Sequence, residues 1–309
     1  MIQSRRRGWA VLRNLAVPAF AVAVVAALPM TRPDAPADKA AEYGPGLTPV
    51  SVSYGQPEGE TAAGQFLSYN DFHGAIDPPA GSGGLINGNP AGGVEYLATW
   101  LERLRAEGKA EDRPTLTVGA GDLIGATPLV SAAFHDEPTI ELMNEVGLQV
   151  SSVGNHEFDE GVAELLRMQG GGCHPTDGCQ DGDGFAGADF KYLAANTVSK
   201  KTGKPILPAI SIRRINGVAV GFVGLTLKGT PSIVNPAGIR DVDFLDEVET
   251  ANKWGAVLKE RGVQAQVLLI HEGGAQGVNP APLSGCDNFA GAIAPIVAGL
   301  NPEFGLVVS

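Results

Sequence analysis

The chain is short of positive charge: 22 lysines and arginines stand against 34 aspartates and glutamates among 309 residues. Such an acidic surface repels nucleic-acid polymers and anionic membranes. Cysteine is scarce too, with three in all, at spacings that match no common zinc module. The uncharged stretch from Leu15 to Met30 contains Pro18 and is shorter than the ~20 apolar residues a spanning helix needs. No repeat of fixed period occurs. Histidine numbers only five, so the placement of each one carries information.

Glycine (42) and proline (22) are too frequent for a helical bundle and are spread between apolar runs, which implies an architecture rich in turns. Residues 1–37 differ from the rest. Arg5, Arg6, Arg7 and Arg13 precede the apolar stretch, and Ala35-Pro36-Ala37 fits a small-x-small cleavage site. The expectation is a secretory signal peptide, no membrane span after its removal, and a secreted or cell-wall-associated product. Residues 38–63 have no hydrophobic period and are expected to form a disordered leader. Export would let Cys173 and Cys179, close together in a Gly/Asp-rich stretch, form a disulfide, while Cys286 has no evident partner. A metal reading of Cys173, His174, Asp177 and Cys179 is the weaker alternative for that stretch.

From residue 64 onward strand-like apolar runs alternate with helical patterns. Strands are expected at 65–69, 114–118, 150–153, 192–196 and 266–270, and helices at 92–107, 137–146, 160–168 and 246–261. Val94, Leu97, Ala98, Leu101 and Leu104 form one helical face. Two runs, 209–215 and 218–225, flank Asn216-Gly217 and read as a hairpin. The class is α/β. The last residues, from Asn301, read as a turn leading into a further strand.

Polar clusters sit where four of the apolar strands end: Asn70-Asp71-Phe72-His73-Gly74, Gly119-Ala120-Gly121-Asp122, Gly154-Asn155-His156-Glu157-Phe158-Asp159 and His271-Glu272-Gly273-Gly274. Ligands of open α/β sheets bind beyond the carboxyl ends of strands, so these clusters are expected to converge. Carboxylate, imidazole and amide oxygen suit Mn, Fe or Zn in a mixed N/O site. Two ions need one shared carboxylate, and Asp122, set beside glycine, is the candidate for the bridge. Asp71 and His73, two apart at a strand end, are expected to point the same way and to hold one ion. Asn155 and His271 would hold the other, while His156 would face substrate with Asp159 fixing its tautomer. Singly, each has a plain structural reading as a cap, turn or strand-end residue. Together they use three of the five histidines, whereas His135 and His174 are expected to be surface loop residues.

These motifs, in this order, resemble the metallophosphoesterase (calcineurin-like) superfamily, and specifically its 5'-nucleotidase branch. The resemblance covers residue 64 onward. It implies a four-layer αββα sandwich of two mixed sheets and two divalent ions (Mn, Zn or Fe), one held by Asp71, His73 and Asp122, the other by Asp122, Asn155 and His271. It also implies a His156–Asp159 catalytic dyad and hydrolysis of nucleoside 5'-monophosphates, with 2',3'-cyclic nucleotides or UDP-sugars as related substrates. The family's Gly-His-x-His motif, expected directly after a strand like 304–309, is missing from the sequence, as is its C-terminal nucleotide-binding domain. A truncated fragment of low activity is therefore expected. The alternative is a binding or adhesion fragment that keeps the scaffold; structural calcium is disfavoured by three histidines.

Overall fold

The computed structural model describes residues 62–79, 84–86, 89–180, 182, 184–276 and 289–309. The expected signal peptide, nearly all of the expected leader, and Cys286 lie outside the described residues. Four parallel strands make the first sheet: β1 (Gln65–Tyr69), β2 (Thr115–Gly119), β3 (Val150–Ser152) and β4 (Lys191–Leu193), paired in that order. Helices α1 (Val94–Ala110), α2 (Leu129–Ala132), α3 (Glu137–Glu145) and α4 (Val162–Gly170) fall between these strands. The second sheet contains β5 (Ile210–Ile215), β6 (Val218–Thr226), β7 (Ala265–His271) and β8 (Phe304–Val308) in the order β8-β7-β6-β5, with α5 (Glu247–Glu260) and α6 (Ile293–Gly299) in the connections. Within this sheet only the β5–β6 pair is antiparallel.

The layers follow from three apolar clusters. Leu67, Tyr69, Leu101, Ile140, Met143, Leu165 and Met168 join one face of the first sheet to α1, α3 and α4. Phe66, Val118, Val150, Phe222, Val267 and Leu269 fill the space between the sheets. Val223, Leu225, Ala251, Leu258, Leu268, Ile270 and Ile296 join the outer face of the second sheet to α5 and α6. Alternate residues of β1 and β7 thus serve opposite faces, as strand periodicity requires, and both faces are covered. The result is the expected αββα sandwich, with one correction: the first sheet is parallel throughout, and only the second is mixed. The strands of the first sheet are joined through helices, whereas the tight turn at Asn216-Gly217, with φ of 46° and 84°, permits an antiparallel pair in the second sheet.

Boundaries moved for local reasons. Helix α1 starts at Val94 rather than at residue 92, because Gly92 and Gly93 carry φ of 92° and 85°. The strand expected at 192–196 is only Lys191–Leu193. Beyond it Asn196 leaves the ladder and exchanges hydrogen bonds with the Thr226 backbone at 2.6 and 3.1 Å, tying the two sheets together. Short elements such as α2, α6 and the antiparallel pair Thr197–Ser199 with Val242–Phe244 are too brief to show a period.

Phe222 is fully buried between the sheets, edge-on to Phe66 with ring centroids 6.1 Å apart. Phe222→Ala is expected to cost about 3–5 kcal/mol in urea denaturation of the full-length protein. A loss below about 1 kcal/mol would contradict the two-sheet packing.

Candidate active site

All four polar clusters meet at one end of the sandwich, beyond β1, β2, β3 and β7. Asp122 is at their centre, 3% exposed. Its Oδ2 lies 2.9 Å from His271 Nε2 and 3.8 Å from His73 Nε2, and Asp71 Oδ1 stands 3.8 Å from that same His73 nitrogen. Its Oδ1 accepts the His156 backbone N–H at 2.9 Å. Asp71, Asp122 and His271 offer ligand atoms within 4.8 Å of one another, and so do His73, Asp122 and His156. Asp122 belongs to both groups.

The two histidines are oriented from behind. His73 Nδ1 is 2.8 Å from the Gly125 carbonyl, and His271 Nδ1 is 2.9 Å from the Ala120 carbonyl. A carbonyl only accepts, so each Nδ1 carries a proton and each Nε2 turns toward the carboxylates. That is the arrangement of metal-ligating imidazoles, and it is the observation by which the residues fit a divalent cation. The same carboxylates favour protons on the two imidazoles. The Asp71 carboxylate, overriding burial, raises the pKa of His73 to about 9. Burial opposes charge on His271, but Asp122 prevails and lifts its pKa to about 9 as well.

Asp71 and His73 do converge, though not by strand alternation. β1 ends at Tyr69, and Asp71, His73 and Asp122 carry φ of 51°, 45° and 51°. Three non-glycine residues in the left-handed region within one site is local strain of the kind that accompanies function. The backbone runs tight here: a Cβ on Gly121 would collide with the Gly154 nitrogen, and one on Gly154 would collide with Asp122 Oδ1. Asn155 begins the 3-10 turn His156–Phe158 with φ −72° and makes no capping bond, leaving its amide partly exposed between two residues that touch Asp122 and Glu157. His156 Nδ1 lies 2.7 Å from Asp159 Oδ2, and its ring stands edge-on to His73 at 4.9 Å.

Sequence reasoning missed Glu157. Its carboxylate is 2% exposed and accepts the backbone N–H groups of Asp122 (2.9 Å), Leu123 (2.8 Å) and Gly154 (2.5 Å). Burial first, then the charge of Asp122, pushes its pKa up to about 7. Its position inside the Gly-Asn-His-Glu-Phe-Asp run was the one available signal. Cys173 and Cys179 form the expected disulfide, with Cα atoms 4.6 Å apart. His135 and His174 are not isolated surface residues: their rings stack 3.7 Å apart, because the disulfide loop folds against the turn that follows α2.

The fold is that of known phosphoesterases. A 5'-nucleotidase precursor of Thermus thermophilus is 27% identical, with a TM-score of 0.52, over 67% of this chain and 36% of that one. The chain belongs to the calcineurin-like metallophosphoesterases, in their 5'-nucleotidase branch. Endonuclease YhcR of Bacillus subtilis is 41% identical over 70% of this chain, and cell wall protein Lmo0130 of Listeria monocytogenes is 37% identical over 76%. The chain spans only 17% and 31% of the length of those two relatives. No family model matches the chain.

The shifted groups set a pH dependence for the metal-free phosphoesterase. Glu157 holds its proton more tightly in the folded chain, so its contribution is complete below about pH 4.5 and is lost as pH rises through 7. His73 and His271 act in the same direction, with contributions complete below 6.5 and lost as pH rises through 9. Chelator-treated protein is therefore expected to melt at steadily lower temperature from about pH 5 to about pH 9. Glu157→Gln should remove the part of that slope between pH 4.5 and 7, on the order of 3 kcal/mol. Saturating Mn²⁺ should flatten it, because metal replaces the protons. A melting temperature that rises with pH in the metal-free protein would contradict the site's electrostatics.

Proposed function

We propose that the protein hydrolyses phosphate monoesters, with nucleoside 5'-monophosphates as the preferred class, at a two-metal site centred on Asp122. Asp71 and His73 would hold one ion, Asn155 and His271 the other, and Asp122 would touch both. A bound divalent pair of Mn, Zn or Fe would supply the positive charge to draw in phosphoryl oxygens and to acidify water. The chain's own contribution is positional. Gly125 and Ala120 carbonyls fix the imidazole tautomers, and Glu157 fixes the loops that present Asp122.

The observation that carries the reading is the His156–Asp159 pair beside the Asp122 cluster. Asp159 accepts the hydrogen bond of Nδ1–H and so supports a ring protonated on both nitrogens, whose Nε2–H would pass to the leaving oxygen. Similarity to proteins named as a cell-wall protein and an endonuclease supports an exported location and brings a second substrate class into view, nucleic-acid phosphodiesters. The formal charge of −12 disfavours a polymer, and a mononucleotide is the better fit. Among the described residues no helix is long and apolar enough to cross a membrane.

His156→Ala in the full-length protein is expected to lower kcat on a 5'-nucleotide by roughly 10²–10⁴-fold with metal content unchanged. The loss should be smaller on an ester with a good leaving group, which needs no proton, and Asp159→Asn should give a milder form of the same defect. Loss of metal from the His156 variant would make that residue a ligand. Faster turnover of single-stranded DNA than of any mononucleotide would overturn the substrate class.

A further inference from the structure

A second gathering of donor atoms lies outside the Asp122 cluster, where the turn after α2, the start of α4 and the disulfide loop meet. We propose that His135, Glu160 and His174, with Glu164 alongside, bind one divalent transition ion, zinc by donor type, as a third metal site that braces the catalytic one. Ligand atoms of these four residues lie within 4.8 Å of one another.

Hydrogen-bond accounting at His135 carries the proposal. His135 Nε2 lies 2.9 Å from Asp177 Oδ2; a carboxylate only accepts, so this nitrogen bears a proton. The other ring nitrogen, Nδ1, is buried and makes no hydrogen bond, and it faces Glu160 Oε2 at 3.4 Å. In the neutral ring these are two lone-pair acceptors set against each other, an arrangement that a cation between them satisfies. Asp177 Oδ2 also lies 3.4 Å from His174 Nδ1. His174 Nδ1 now accepts the Asp177 backbone N–H at 3.2 Å. Binding a cation through Nε2 would place the ring proton on Nδ1 and exchange that N–H for the Asp177 carboxylate, so that one carboxylate orients both imidazoles from behind. Imidazole and carboxylate together suit zinc. Glu164 is shared, since both of its oxygens also receive Arg167 Nε at 3.0 Å.

The surroundings are built rather than incidental. The Cys173–Cys179 disulfide encloses His174 and Asp177 in a short loop. His135 and Asp136 take φ of 51° and 62°, two successive non-glycine residues in the left-handed region. From there the site reaches the catalytic cluster twice. Asp136 Oδ2 accepts the Gly125 N–H at 3.2 Å, and the Gly125 carbonyl orients His73; Glu160 directly follows Asp159.

Zinc alone is the probe, titrated into chelator-treated full-length protein carrying Asp122→Asn, a change that weakens the central cluster. Bound zinc is counted by elemental analysis after desalting. Relative to this background, adding His135→Gln with His174→Gln is expected to remove one zinc equivalent per chain. Asp177→Asn is expected to weaken the affinity of that equivalent by about 10–100-fold. An unchanged zinc count in the histidine variant overturns the proposal and leaves the cluster as an imidazolium–carboxylate ion pair. Should the histidine variant not fold, hydrogen exchange of residues 173–179 in the Asp122→Asn protein gives the answer: zinc-dependent protection supports the site, and its absence overturns it. Neither readout depends on phosphatase activity.

Discussion

One buried carboxylate holds the catalytic end of the molecule together. Glu157 accepts backbone N–H groups from the loop after β2 and from Gly154 after β3, and Tyr192 on β4 offers its hydroxyl at 3.4 Å. Three strand ends of the first sheet are thereby fixed to one side chain. Without it, the buried N–H groups of Asp122, Leu123 and Gly154 would be left unpaired, each costing about 1–3 kcal/mol. The charge of Asp122 raises the cost of charging Glu157 beyond what burial alone imposes. The strain at Asp71, His73 and Asp122 and the glycine contact of Gly121 with Gly154 follow from the same crowding.

The sandwich supports this arrangement from below. Parallel β1, β2 and β3 deliver their carboxyl ends to one edge, and β7 in the second sheet delivers His271 to that same edge. His271 can reach Asp122 because the sheets are closed against each other by Phe66, Phe222, Val267 and Leu269. Packing between the sheets is therefore a condition of the site's chemistry: a shift of even one ångström between them would break the 2.9 Å contact.

Much of this was legible in the sequence. Apolar runs in β1, β2, β6 and β7 gave strands near their observed bounds, Asn216-Gly217 gave the hairpin, and polar clusters at strand ends gave the convergence. What escaped notice depended on tertiary contact. Nothing in a local period distinguishes Glu157, turned inward onto backbone amides, from a solvated glutamate. His135 and His174 are 39 residues apart and come together only because the disulfide loop folds back on the turn after α2. The left-handed φ angles of Asp71 and His73 replaced the strand geometry expected of them, so the right residues converged for a different reason.

The central claim is that Asp122 bridges two divalent ions. Anomalous diffraction at the manganese edge, from crystals of the full-length protein grown with Mn²⁺, tests it most directly. The account predicts two peaks roughly 3.5–4 Å apart with the Asp122 carboxylate between them, Asp71 and His73 on one side and Asn155 and His271 on the other. A single peak, or a pair that leaves Asp122 outside the coordination of either ion, would contradict it.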